Sequence, residues 1–142
     1  MTLAEEAEAR VRTGFAGQRF MRTLGAELTA VDAGTVTITC PYDERLLQQH
    51  GFVHAGVLAT LADTACGFAA LSLTNPGQDI LTADFNIHLL RPATGNSYQA
   101  TGTVIKPGRT LTICRAEVHA DVLCAIATVT LSVRQPVSAD DA

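Results

Sequence analysis

One acidic residue, Asp63, interrupts a long apolar stretch that runs from residue 55 to residue 73. Removing an unpaired carboxylate from water has a high free-energy cost, so a lone aspartate here is seldom accidental. A carboxylate in such surroundings can act as a general base, or as a nucleophile on an electrophilic carbonyl carbon. Asp63 is therefore the first candidate for a catalytic residue. The structural alternative is that it only accepts hydrogen bonds from Thr60, Gln48 or a neighbouring strand.

The apolar stretch begins without the usual helix-capping residue. The first backbone N–H groups of a helix lack intrahelical partners, and a Ser, Thr, Asp or Asn side chain normally satisfies one of them. Here residues 52–54 read Phe-Val-His. The amides of Ala55, Gly56 and Val57 are therefore left for water, a histidine nitrogen or an incoming oxygen anion, which the helix dipole favours. The alternative is that His54 caps the helix.

The spacing of these two features predicts a dimer. Asp63 follows Gly56 by seven residues, which places both on one helix face but about 10 Å apart along the axis. One substrate carbonyl cannot touch both groups of the same chain. Two such helices packed antiparallel across a two-fold axis would bring the amides of one chain to Asp63 of the other, and self-complementary dimers are the commonest oligomers. The sequence therefore predicts a homodimer with two shared sites.

The elements around the candidate residues predict an α+β fold. Residues 55–73, rich in alanine and leucine and apolar around nearly the whole circumference, favour one long buried helix. Residues 3–24 have helical spacing, and residues 27–42 alternate as in a hairpin. Four antiparallel strands are expected over residues 80–90, 97–105, 110–120 and 123–134. A curved antiparallel sheet of five to six strands, wrapped around one long central helix, would bury that helix on all sides.

Composition limits the classes of protein. A chain of 142 residues fits one domain, residues 1–142, with an N-terminal helical segment over 1–24 and a disordered tail expected over 136–142. Only 17% of the residues are charged against 47% hydrophobic, which indicates surface covered by another subunit. A net charge of -4 and a single lysine, Lys106, argue against nucleic-acid binding.

The four cysteines form no C-x-x-C pair, and no signal-peptide pattern opens the chain. We therefore expect reduced thiols and a cytoplasmic location. The longest apolar stretch is interrupted by Asp63, so no membrane span is expected. His50 and His54 lack a third ligand at a suitable spacing for a metal site. Cys66 is a conceivable nucleophile, but a cysteine in an alanine-rich helix is more often a small core residue.

The motifs now quoted resemble a known family. The stretch Gln48-x-x-Gly51-x-x-His54-Ala55-Gly56, followed by Leu61-Ala62-Asp63, resembles the Asn/Gln-x-x-Gly-x-x-His-Gly-Gly and Leu-x-Asp motifs of the hotdog-fold acyl-CoA thioesterases of the phenylacetate-degradation type. Residues 81–87 with Arg91-Pro92-Ala93 resemble that family's next strand, and the Gly108-Arg109 pair resembles its following hairpin. The likeness therefore extends over about residues 27–133. Ala55 departs from the family's glycine but keeps the backbone N–H donor.

This resemblance implies the hotdog fold and the hydrolysis of acyl-CoA or aryl-CoA to the free acid and coenzyme A. It implies that Asp63 activates water or attacks the thioester carbon directly, while the Ala55 N–H polarises the carbonyl across a dimer interface. Gln48 would hold the substrate or water by its amide, with neighbouring Gln49 as the alternative. Thr82 would orient the nucleophilic water beside Asp63.

The resemblance also implies binding residues and partners. His54 and Gly56 are expected to contact the substrate, and the turn residues Arg91, Lys106 and Arg109 to contact the phosphates of coenzyme A, although basic residues at turns are equally often only solvated. The assembly implied is a homodimer, or a tetramer built as a dimer of dimers. No metal or cofactor is implied apart from the coenzyme A of the substrate itself.

Two other functions stay open at this point. A hotdog dehydratase or hydratase would need a histidine paired with a carboxylate to move protons, and His54 with Asp63 is the one pair that could serve. A non-catalytic acyl-CoA-binding module would use the same pocket without needing Asp63. The length and nature of the acyl group do not follow from the sequence.

Overall fold

A computed structural model describes residues 1–136 of the chain. The elements follow one another in the order that the sequence patterns predict: a helical N-terminal segment, a hairpin, one long helix and four more strands. In chain order these are α1 (Leu3–Ala16), α2 (Arg19–Leu24), β1 (Glu27–Asp32), β2 (Thr35–Pro41), a 3-10 turn (Glu44–Leu46), α3 (Ala55–Leu71), β3 (Asp79–Leu89), β4 (Ser97–Lys106), β5 (Leu111–His119) and β6 (Leu123–Arg134).

The six strands form one antiparallel sheet in the order β1-β2-β4-β5-β6-β3. The last four strands are antiparallel as expected, but they are not side by side in chain order. Strand β3 pairs with β6, with Asp79 opposite Arg134 and Leu89 opposite Ala125, and forms one edge of the sheet. The chain from β3 to β4 therefore crosses to the middle of the sheet. Alternation in a sequence indicates a strand but not its partner, because long-range contacts decide the pairing.

Helix α3 packs across the concave face of this sheet, against β2 to β6. Twelve of its 17 residues are buried. Gly102 of β4 allows the closest approach, because a Cβ atom there would lie 2.5 Å from the backbone of Ala65 and of Cys66. The expected architecture, a sheet wrapped around a central helix, is confirmed.

Helix α3 ends at Leu71, two residues before the predicted end. The hydroxyl of Ser72 donates to the carbonyl of Ala69 at 2.6 Å and accepts the N–H of Gly34 at 2.8 Å. The hydroxyl of Thr74 donates to the carbonyl of Leu71. These side chains satisfy the backbone groups at the helix end and tie it to the β1–β2 turn.

The N-terminal segment is two helices rather than one. The helix predicted over residues 3–24 breaks at Gly17 and Gln18, and Gln18 is extended (φ -82°, ψ 105°). Glycine is a poor helix former, and the break lets each half bury its own apolar residues. Phe15 of α1 packs edge-on against Phe68 of α3, with ring centroids 5.9 Å apart. In α2, by contrast, Met21 and Leu24 enter the core.

Beyond Pro136 the expected tail lies outside the described residues. Across residues 1–136, every helix is too short or too polar to cross a membrane. Cys40, Cys66, Cys114 and Cys124 are free thiols and are buried.

Candidate active site

The central helix is open to solvent along one stripe. Its five residues that are not fully buried are Ala55, Gly56, Ala59, Thr60 and Asp63. Their spacing of three and four residues places them on one face of α3. The composition of the helix predicts that it is buried on all sides, but this face is uncovered. The uncovered face carries both groups that are predicted to be catalytic.

Asp63 is held by strand β3. The hydroxyl of Thr82 donates to Oδ1 of Asp63 at 2.6 Å, and no described residue donates to Oδ2. The register of β3 shifts between Thr82 and Asp84, and a bulge of this kind changes the direction of neighbouring side chains. Thr60 does not contact the carboxylate, because its hydroxyl donates to the carbonyl of Gly56 at 2.8 Å. Thr60, Gln48 and a neighbouring strand were the possible hydrogen-bond donors to Asp63, and only the strand supplies a donor, Thr82.

The start of α3 is capped by His54. Nδ1 of His54 accepts the N–H of Gly56 at 2.8 Å, and the His54 carbonyl accepts the N–H of Val57 at 2.9 Å. Two of the three amides are therefore not open to an anion, and one of them is bound by the histidine nitrogen that was an alternative acceptor. The N–H of Ala55 has no acceptor among residues 1–136. The glycine at position 56 makes this cap possible, because a Cβ atom there would lie 2.9 Å from Nδ1.

The loop before α3 positions Gln48. Its backbone N–H donates to the carbonyl of Phe52 at 2.8 Å, and its side-chain Oε1 accepts the amides of His50 at 2.6 Å and Phe52 at 3.3 Å. Gly51 allows the turn with a φ of 85°. The carbonyl end of the Gln48 amide thus organises the loop, which leaves its NH₂ group as the donor for a ligand.

The candidate residues form two clusters within one chain. Gln48, Ala55 and Arg91 line a cavity of about 480 Å³ at the start of α3. Asp63 and Thr82 line a different groove, of about 590 Å³. Because eight residues separate Ala55 from Asp63 along the helix, the two groups lie about 12 Å apart along its axis. One chain therefore does not bring the carboxylate and the free amide to the same point.

The basic residues do not converge either. The Arg91 guanidinium donates to the carbonyl of Leu123, which fixes this side chain at the edge of the Ala55 cavity. Lys106 ends β4, and Arg109 lines a small cavity of about 240 Å³ with Ala70, near the other end of α3. Of these three predicted residues, only Arg91 lines the cavity that contains Ala55.

Cys66 is not available as a nucleophile. Its side chain is fully buried in the core. Two effects raise the pKa of Cys66: the larger is the hydrogen bond with Cys114, and the smaller is burial. The reactive thiolate is therefore disfavoured. No group of three or more His, Cys, Asp or Glu side chains suited to a metal ion occurs in the described part of the chain.

One wall of the Asp63 groove does not follow from the sequence. Helices α1 and α2 contribute Gly14, Gln18, Phe20 and Met21 to it. Phe20 is 56% exposed, while the adjacent Met21 is buried. In the sequence Phe20 counts as one more apolar position of a helix, and only knowledge of the break at Gly17 would have separated the two residues.

Comparison with known proteins agrees with this geometry. A family model described as "Thioesterase superfamily" matches residues 50–129, a span that includes β3, β4, β5 and α3. In the crystal structure of a thioesterase family protein from Silicibacter pomeroyi, 40% of residues are identical. That structure superposes with a TM-score of 0.89 and covers 91% of this chain and 98% of its own.

Two relatives extend the comparison. A putative esterase from Haemophilus influenzae is 30% identical over 112 residues, which are 78% of this chain and 81% of that protein. A protein from Salmonella typhimurium named medium/long-chain acyl-CoA thioesterase is 24% identical over 126 residues, covering 78% of this chain and 81% of its own.

Proposed function

The chain belongs to the thioesterase superfamily and has its hotdog fold, and on this premise we propose that it hydrolyses acyl-CoA or aryl-CoA to the free acid and coenzyme A. The observation that carries the proposal is the half-buried carboxylate of Asp63, held by Thr82 in a groove that apolar and polar side chains line together. The acyl-CoA part is supported by the relative from Salmonella typhimurium that is named for such substrates. A preference of the phenylacetate type stays a prediction.

The reaction needs few groups, because the acyl carbon of a thioester is electrophilic and a thiolate leaves readily. In one route Oδ2 of Asp63 takes a proton from water while the water oxygen attacks the acyl carbon. The carbon–sulfur bond then breaks, and the thiolate takes up a proton. In the other route Asp63 attacks the carbon itself, and the carbon–sulfur bond breaks so that coenzyme A leaves as the thiolate, which takes up a proton. Water then hydrolyses the mixed anhydride to the free acid and the Asp63 carboxylate. Thr82 holds the carboxylate in either case.

The free N–H of Ala55 is proposed to stabilise the oxyanion. Thioester attack places negative charge on the carbonyl oxygen, and a preorganised donor there typically contributes about 3 to 4 kcal/mol to transition-state stabilisation. At the start of α3 the helix dipole adds to this effect. His54 supports the donor by capping the next amide, and Gln48 offers its NH₂ group on the same side.

We propose further that each site combines Asp63 of one protomer with Ala55 of its partner. Support comes from the separation of the two groups on one helix and from the open stripe of α3. Strand β3, eleven residues long, forms a sheet edge with Leu81 and Leu89 each more than half exposed. A long exposed edge of this kind favours pairing with another chain. An antiparallel pair would reverse the second helix, as a shared site requires.

The other functions receive less support. A dehydratase would use His54 with Asp63 to move protons, yet Nδ1 of His54 already accepts the N–H of Gly56 and caps α3. A non-catalytic binding module would not require a carboxylate positioned by Thr82. A cytoplasmic location stays part of the proposal, and the four free thiols in the described residues are consistent with it.

Thiol release from acyl-CoA and aryl-CoA substrates tests the proposal. The wild-type protein is expected to release coenzyme A, and Asp63→Asn to lose turnover while still binding the substrate. Folding of the variant is checked by circular dichroism. Full turnover by Asp63→Asn would contradict the proposed role of the carboxylate. Binding without turnover by the wild type would instead favour the acyl-CoA-binding module.

A further inference from the structure

The groove beside Asp63 has the character of a binding site for an acyl group. One wall comes from α1 and α2, with Phe20 and Met21, and the other comes from α3 and β3, with Phe68 and Leu81. We propose that this groove, of about 590 Å³, receives an uncharged apolar acyl group, and that Phe20 sets the length of chain it accepts. This inference rests on the proposed function and specifies its substrate class.

The charges along the groove select against acidic acyl groups. Among the described residues that line the groove, Asp63 and Asp79 are the only acidic ones, and none is a Lys, Arg or His. The carboxylate of a dicarboxylic acyl group would therefore leave water without gaining a cation, next to two groups of its own sign. An alkyl or phenyl group meets the apolar side chains instead.

Phe20 separates this groove from a second cavity. Phe20 and Thr60 line both the Asp63 groove and a neighbouring cavity of about 430 Å³, to which Leu24 and Val57 also contribute. Removal of the phenyl ring would join the two spaces. An acyl chain that now ends against Phe20 could then extend beyond it.

Phe20 is free to serve this purpose because other residues anchor its helix. Met21 and Leu24 hold α2 in the core, whereas the Phe20 side chain is 56% exposed in the single chain. It also lies outside residues 50–129, the span that matches the family model. A position outside the matched region suits a residue that selects among substrates of a shared reaction.

The experiment measures kcat/KM for a series of straight-chain acyl-CoAs from butyryl to decanoyl, with glutaryl-CoA against pentanoyl-CoA as the charge test. The variants are Phe20→Ala, the intermediate Phe20→Leu, and Tyr42→Ala as a control at an exposed aromatic residue away from both cavities. Each methylene newly buried is worth about fourfold, so in Phe20→Ala the ratio of decanoyl to butyryl turnover is expected to rise about tenfold or more. Glutaryl-CoA is expected to be at least about tenfold poorer than pentanoyl-CoA for the wild type.

A binding readout accompanies the kinetics. In the Asp63→Asn background, Phe20→Ala is expected to tighten the binding of decanoyl-CoA but not of butyryl-CoA. An unchanged chain-length profile in Phe20→Ala, with turnover intact, would overturn the role of Phe20 and leave the proposed function standing. Equal turnover of glutaryl-CoA and pentanoyl-CoA would overturn the charge argument. A folded wild type that hydrolyses no thioester would overturn the proposed function and this inference together.

Discussion

The hydroxyl of Thr82 on the edge strand lies 2.6 Å from Oδ1 of Asp63 on the central helix, while no described donor reaches Oδ2. The two residues belong to elements that follow each other in the chain, and the bulge after Thr82 accompanies the hydroxyl's approach to the helix. One oxygen of the carboxylate is thereby fixed, and the other is left to accept a proton or to attack. In the proposed reaction, Thr82 acts by positioning Asp63.

Thr82→Val removes the hydroxyl while keeping the shape of the side chain. A hydrogen bond to a charged group is worth about 1.5 to 3 kcal/mol, so kcat is expected to fall about tenfold to hundredfold with little change in KM. Thr82→Ser keeps the donor and is expected to restore most of the rate. Steady-state kinetics on one acyl-CoA compare the three proteins. Equal losses in the serine and valine variants would show that packing, and not the hydroxyl, is required.

Gln48→Glu separates the two ends of the Gln48 amide. A glutamate oxygen can still accept the amides of His50 and Phe52, so the stability of the loop is expected to change little. The variant loses the NH₂ donor and gains a negative charge, so kcat/KM for acyl-CoA is expected to fall by about tenfold or more. Gln49→Ala serves as the control and is expected to leave kcat/KM nearly unchanged. A larger effect at Gln49 than at Gln48 would reverse the assignment.

Gly102→Ala tests the contact between the helix and the sheet. The new methyl group would meet the backbone of Ala65 and Cys66 at 2.5 Å, and backbone cannot move aside as a flexible side chain can. Overpacking of this kind is expected to lower the free energy of unfolding by about 3 kcal/mol, measured in urea. Gly17→Ala is the matched control, because its nearest contact would be at 3.4 Å and its φ is -78°. Equal stability of the two variants would contradict the packing described for α3.

The buried thiols predict a loss of stability in alkali. Burial, and then the charge of Asp43, raise the pKa of Cys40 from 9.0 to about 11. The unfolded chain therefore loses this proton first, so the contribution to stability is complete below pH 9 and is lost as pH rises towards 11. In urea denaturation at a series of pH values, Cys40→Ala is expected to lose about 1 kcal/mol less than the wild type across this interval. Parallel losses in both proteins would count against a buried thiol at this position.

Much of the fold follows from local patterns in the sequence. The apolar circumference of residues 55–71 and the alternation of the strands suffice to predict a sheet around a helix. The position of β3 beside β6 does not follow, because each strand of the second half has similar alternation and the choice among partners depends on contacts distant in the chain. The break at Gly17 was missed for a related reason, since burial of both helix halves decides it.

Part of the candidate site also follows from local features of the sequence. Asp63 and the start of α3 are identifiable because each departs from its local context, one by charge and the other by the absence of a usual cap. The capping role of His54 was one of two alternatives, and the structure selects it. The wall formed by Phe20 was not foreseen, because no local feature connects residue 20 with residue 63.

The central claim is that Asp63 of one protomer works with the Ala55 N–H of its partner, and two complementary variants test it. Asp63→Asn removes the carboxylate. Ala55→Pro removes one N–H at a position where proline fits, since Ala55 is the first residue of α3 and His54 already has the extended ψ of 135°. Loss of one oxyanion donor is expected to lower kcat by about 100-fold to 1,000-fold.

The decisive measurement is the activity of a mixed dimer, purified through two different affinity tags, with one Asp63→Asn chain and one Ala55→Pro chain. If the sites are shared, one site of this dimer receives Asp63 and the Ala55 N–H from the two unaltered positions, and its activity is expected to be about half that of the wild type. A mixed dimer no more active than its two parents would show that each chain supplies both groups to its own site, and would contradict the account.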